Sequence, residues 1–251
     1  VLNPNLYISP KPLDPVAHKD LRFSDGSRAI GCAERVNVVF ITAQEFDAAC
    51  KEFPILFMTA GEDALGRPQV APVAVMGLQE GENHFIRLGK GGRAQWLGRY
   101  TPAFLRLYPF TVARVDEAHW GLCIDEDWQG WSTRKGVPLF QDDGTPSALV
   151  SEMHGAIGQL EAQTEVTRVF GERLMHFGLL EDRQINVRLP DDSEYTVAGF
   201  LSVSEERLAS LSKMEISELH RNGVLHLLSL HRASLGNLTE LAWRRWKASL
   251  S

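Results

Sequence analysis

Pro146–Phe177, PSALVSEMHGAIGQLEAQTEVTRVFGERLMHF, is the stretch on which the reading of the fold turns. At ~100° per residue, Leu149, Met153, Ile157, Leu160, Phe170, Leu174 and Phe177 fall within roughly 160° of one another. Such a stripe predicts one long helix with an apolar face that needs a partner surface. Thr145 suits its cap, Pro146 its first helical position, and Gly178 the left-handed stop after Phe177. Gln163 and Thr167 interrupt the apolar row. They read either as buried polar groups satisfied by neighbouring backbone or as the floor of a ligand pocket.

Downstream, QINVRL and EYTVAGFLSV flank the polar turn Pro190-Asp191-Asp192-Ser193 and predict a hairpin. Ser204 caps a helix with Glu205 and Glu206 in its first turn, where the helix dipole favours acids. Ser212 and Glu215 form a capping box, Asn222-Gly223 ends that helix, and VLHLLSLHRASLG begins a more apolar one. The last helix, Leu238 to Lys247, carries Trp243 and Trp246.

Upstream the chain is richer in strands. Pro4, Pro10, Pro12 and Pro15 make the start an extended arm lying on something, because proline fixes φ and removes a donor. Val36–Ile41 is a strand, Thr42 to Glu45 caps a short helix ending near Lys51, and PILFM is the next strand. VAPVAVMGL and HFIRL, with Gln79 to Asn83 between them, predict a second hairpin. Thr101 and Pro102 start a short helix that ends at Tyr108-Pro109. FTVARV and HWGLCID follow as antiparallel strands around Asp116 to Ala118. The fold class is α+β: a strand-rich antiparallel N-terminal half packed with a long helix, then a β-hairpin and a C-terminal helical bundle. The composition shift near residue 145 divides the chain into lobes 1–145 and 146–251, or into two layers of one compact domain.

Composition excludes some functions. With net charge −6 and interspersed acids and bases, no basic run is present to face phosphates, so no nucleic-acid partner is expected. Cys32, Cys50 and Cys123 have neither the number of a disulfide framework nor CxxC spacing, which fits reduced thiols and a cytoplasmic location. No apolar run of ~18 residues predicts a membrane span, and the first residues lack signal-peptide character.

Several motifs resemble chemistry without completing it. His18-Lys19-Asp20 has the H-x-D spacing of iron oxygenases, but its proline-rich flank is not a barrel strand. Lys90-Gly91-Gly92-Arg93 lacks P-loop spacing, and Gly130-Trp131-Ser132-Thr133-Arg134 ends in Arg where a nucleophile elbow has Gly. His220 and His231 are about three helical turns apart, so no metal or cofactor is expected. Asp125 and Asp127 are candidate paired carboxylates, with Trp128 and Trp131 as an aromatic platform for a sugar or peptide.

PLDPVAHKDLRF, EFPILF, VAPVAVMGLQEGENHF, GRYTPAFLRLYPF, CIDED, GVPLFQDDGTPS, Thr167 to Leu180 and LHRNGVLHLLSLHRASLGNL resemble, in the same order, the SapC-like proteins named for a surface-layer secretion locus. The resemblance implies a soluble bacterial protein associated with the surface layer or with envelope and nutrient-uptake genes; it carries over no catalytic residues.

Two functions stay open. The first is a noncatalytic accessory protein holding a peptide, a partner protein or a small metabolite in a groove between the strand-rich half and the long helix. Its contacts would be Arg99, Tyr100, Arg106, Asp125, Asp127, Trp128 and Trp131, with Gln163 and Thr167 as the floor. The second is an enzyme, a metal-dependent oxygenase using His18 and Asp20 or a hydrolase using the Asp125 cluster. Oligomeric state is open.

Overall fold

A computed structural model describes residues 6–24, 30–63, 65–89, 94–114, 120–189 and 191–249. The chain forms an α+β structure of antiparallel sheets and helices. Its contacts define two compact units that alternate along the sequence. One comprises Val1–Val36, Phe85–Leu97 and Ala103–Glu161; the other comprises Asn37–His84, Gly98–Pro102 and Ala162–Ser251.

In the first unit the expected N-terminal arm is a strand. Pro10–Pro12 pairs with the end of Trp120–Asp125, whose other edge pairs with Phe110–Arg114. Two prolines on an edge strand leave few donors for a further chain, which protects the edge. Arg22–Phe23 sits between Trp131–Ser132 and Val137–Pro138, and Ile86–Leu88 pairs with Ala94–Trp96. The residues between these last two strands, Lys90 to Arg93, lie outside the described residues, as does the expected turn at Asp116 to Ala118. Phe85, Phe110 and Ile124 are fully buried in this unit.

The second unit holds a five-stranded sheet in the order Leu180–Arg188, Glu194–Val203, Ile55–Glu62, Pro68–Val75, Val38–Phe40. The expected hairpin of VAPVAVMGL with HFIRL does not form. Both edges of Pro68–Val75 are occupied by Ile55–Glu62 and Val38–Phe40, and Ile86–Leu88 takes Ala94–Trp96 instead. The expected hairpin at Leu180–Arg188 and Glu194–Val203 does form.

The long helix spans Ala148–His176, so it starts two residues later than Thr145 and Pro146 suggest. Thr145 instead bonds Asp143, and Pro146 bridges to Phe140; Ser147 accepts from Val150 N at 3.4 Å and caps the first turn. The far end stops as expected. Gly178 has φ 61°, Leu179 N donates to Leu174 O and Gly178 N to Met175 O, which closes a Schellman turn. Within the second unit, Phe170 packs against Phe46 and Phe57 with ring centroids 5.8 and 6.1 Å apart. Gly171 lets the strand come close: a Cβ there would lie 2.5 Å from Val70 O.

Candidate binding site

The helices after the hairpin enclose an apolar pocket. Glu205–Ala209 is capped by Ser204, and Lys213–Arg221 by the reciprocal Ser212–Glu215 box; Gly223, at φ 73°, turns the chain into Val224–Ser234. Arg207 fixes the first two helices together, donating from Nη2 to Glu215 at 2.9 Å and from Nε to Phe177 O at 2.8 Å. Between the three helices lies a cavity of about 280 Å³ lined by Leu208, Leu211, Ile216, Leu225, Leu228, Ser229 and Arg232. Leu225, Leu228, Ser229 and Arg232 stand at i, i+3, i+4 and i+7, one stripe of a single helix. Ile216 remains 43% exposed at the edge. Arg232 Nε meets Glu205 Oε1 at 2.6 Å, and the Ser229 hydroxyl donates to Leu225 O at 2.8 Å.

The opposite face of Val224–Ser234 carries buried chemistry used for structure. His231 is fully buried; its Nδ1 donates to Ile55 O at 2.7 Å, and its Nε2 receives Val203 N at 3.4 Å and Ser202 Oγ at 3.2 Å. The imidazole thus bridges two strands, and burial lowers its pKa to about 4. Ser234 Oγ receives Ile55 N at 2.9 Å and donates to His231 O. Asn237 continues the seam to Cys50 O and Phe53 O.

Of the polar residues midway along the long helix, Thr167 is buried and bonded to backbone, while Gln163 is half-buried and meets the Thr42 side chain. Thr167, 5% exposed, receives Ala43 N at 2.8 Å and donates to Gln163 O at 2.7 Å. Gln163 Oε1 receives Thr42 Oγ1 at 3.4 Å. Glu45 completes the capping box on Thr42 N, and its other oxygen receives Tyr100 O–H at 2.7 Å. Tyr100, Gln163 and Thr167 therefore join one hydrogen-bonded seam that fixes residues 42–45, and Thr167 has no face left for a ligand. Arg99 is held by its backbone, whose N–H meets the Glu52 carboxylate at 2.7 and 2.8 Å, and its side chain is exposed.

In the other unit, Asp125 and Asp127 do not act as a pair. Asp125 is fully buried and receives Ile8 N at 2.9 Å, Ser9 N at 2.8 Å and Tyr108 O–H at 2.9 Å; Asp127 is exposed. Asp125 is thus the clasp of the N-terminal arm. Glu126 adds a second clasp, receiving His18 Nε2 at 3.0 Å and pairing with Lys11; Lys11 first and His18 second hold its carboxyl below the usual carboxylate range. His18 Nδ1 receives Asp14 N at 2.9 Å, so both ring nitrogens are engaged, while Asp20 is exposed. Among the described residues no cluster of three or more His, Cys, Asp or Glu side chains could hold a metal ion.

Trp128 is core instead of platform: it is 5% exposed and stacks on Phe23 at 4.9 Å, although its Nε1 has no hydrogen-bond partner among the described residues. Trp131 packs edge-on to Trp128 and Phe110 and donates from Nε1 to Asp125 O at 2.8 Å. Ser132 accepts the Arg134 and Lys135 N–H groups, as a turn residue does. Burial, and after it the Asp125 charge, pushes the Cys32 thiol well up, which suppresses its thiolate. Arg106 is exposed on the helix Ala103–Leu107.

None of the pocket residues is marked as a pocket wall by the sequence. The i, i+3, i+4, i+7 stripe was present, but VLHLLSL is apolar on nearly every side and does not reveal which face stays open.

The structure is that of an α+β protein with an open apolar pocket in its C-terminal helices and its buried acids and two buried histidines engaged by backbone. No described helix is long and apolar enough to cross a membrane. The SapC family model matches residues 13–241, and the chain belongs to the SapC family. Neither the curated proteins nor the solved structures gave a match.

Proposed function

We propose that this SapC-family chain is a noncatalytic binding protein that uses its C-terminal helical pocket to hold the apolar group of a peptide, a partner segment or a small metabolite. The supporting observation is the cavity of about 280 Å³ walled by Leu208, Leu211, Ile216, Leu225 and Leu228, with one charged pair at its edge. An apolar concavity with a few polar groups is the usual form of a ligand site. Arg99 does not line this pocket; Glu52 fixes its backbone while its cationic side chain faces solvent elsewhere. The protein works in the cytoplasm, in support of the surface-layer, envelope or nutrient-uptake functions that the family resemblance implies.

The probe is 1-anilinonaphthalene-8-sulfonate, an apolar ring system bearing one anion. Its fluorescence should rise to saturation at one site per chain, and Ile216→Glu with Leu225→Glu should abolish the rise in a protein with unchanged circular dichroism. Equal enhancement in the double variant would remove the pocket from the argument.

A further inference from the structure

The polar edge of the pocket specifies what its apolar walls would receive, and the inference here rests on the binding reading above. Arg232 meets Glu205 through Nε, and its Nη1 and Nη2 make no hydrogen bond among the described residues. That outer edge presents parallel donors in the geometry of a carboxylate, which pairs with arginine in bidentate fashion. Ser229 lies three residues earlier on the same helix, so the two side chains are neighbours on one face. Its hydroxyl proton is committed to Leu225 O, leaving the Ser229 oxygen as an acceptor. The edge therefore offers donors for a carboxylate and, beside them, an acceptor for an N–H.

A carboxylate and an N–H on one carbon that also bears an apolar side chain are the three parts of the last residue of a peptide. The cavity, at about 280 Å³, has room for one or two leucine-sized side chains and not for a long folded segment. We propose that the pocket binds the C-terminal end of a peptide with apolar terminal residues: carboxylate on Arg232, amide N–H on Ser229, side chains among Leu208, Ile216, Leu225 and Leu228. Glu205 does not contribute to this binding. It competes for Arg232 as an exposed ion pair of small worth.

Calorimetric titration of the full chain with acetyl-Leu-Leu, its C-terminal amide and decanoate tests the proposal. The peptide acid should bind roughly tenfold or more tightly than the amide, the factor carried by a charged hydrogen bond. Arg232→Gln should reduce the acid to the level of the amide, and Arg232→Lys should recover part of the difference. Glu205→Gln should leave acid binding unchanged or strengthen it; weakening would show that the ion pair matters as structure and would overturn the role given to Arg232. Equal affinity for acid and amide overturns the carboxylate contact while leaving an apolar binding pocket. Decanoate binding as tightly as the peptide acid overturns the peptide assignment in favour of an acyl carboxylate. If no titrant binds but anilinonaphthalenesulfonate does, this proposal alone fails; if none of the four binds, the pocket reading fails with it.

Discussion

At Asp125 a carboxylate with no solvent contact gathers three donors, the N–H groups of Ile8 and Ser9 and the hydroxyl of Tyr108. Removing it strands those donors in the interior, and hydrogen bonds to charged groups contribute about 1.5–3 kcal/mol each, not additively. Asp125→Ala should lower stability by about 3 kcal/mol in urea unfolding, and Asp125→Asn by less; a loss below about 0.5 kcal/mol would show that the arm is held by strand pairing alone. Arg99 gives the opposite expectation. Because Glu52 binds its backbone N–H, Arg99→Ala should change the unfolding free energy by less than about 0.5 kcal/mol.

The helix Val224–Ser234 joins the pocket to the sheet, and His231 makes it sensitive to acid. A neutral imidazole both donates to Ile55 O and accepts Val203 N–H; a proton on Nε2 would set two donors face to face. With a folded pKa of about 4 against 6.5 unfolded, the unfolded chain holds one more proton between those values. Stability from this group is therefore complete above pH 6.5 and falls as pH drops toward 4, by roughly 3 kcal/mol in all. Urea midpoints from pH 7 to pH 4.5 should fall for the parent and flatten in His231→Phe; parallel slopes would assign the acid sensitivity elsewhere. At the end of the long helix, Gly178→Ala must place a Cβ at φ 61°, and a loss of about 1 kcal/mol is expected in thermal unfolding.

For the whole molecule, strands from both sides of residue 145 share one sheet: Val38–Phe40, Ile55–Glu62 and Pro68–Val75 come before it, Leu180–Arg188 and Glu194–Val203 after. A fragment of residues 146–251 should therefore show helical circular dichroism without a cooperative transition, and co-expression with residues 1–145 should restore one. A cooperative melt of the fragment alone would refute this. Several short-range devices were legible in the sequence: the Thr42–Glu45 and Ser212–Glu215 boxes, the Ser204 cap, the Gly178 stop and the hairpin at residues 180–203, whereas the Ser147 cap of the long helix and the partners of Pro68–Val75 and Ile86–Leu88 were not. Each is set by side chains within a few residues of the backbone groups they satisfy, so spacing alone specifies them. The fate of Asp125, Trp128, Thr167 and His231 was not legible, nor was the open face of Val224–Ser234. Asp125 meets donors 116 and 117 positions away, Thr167 a donor 124 away, and His231 an acceptor 176 away. Whether a polar group is a ligand contact or a structural clasp depends on which distant backbone arrives beside it, and only the assembled fold brings that backbone there.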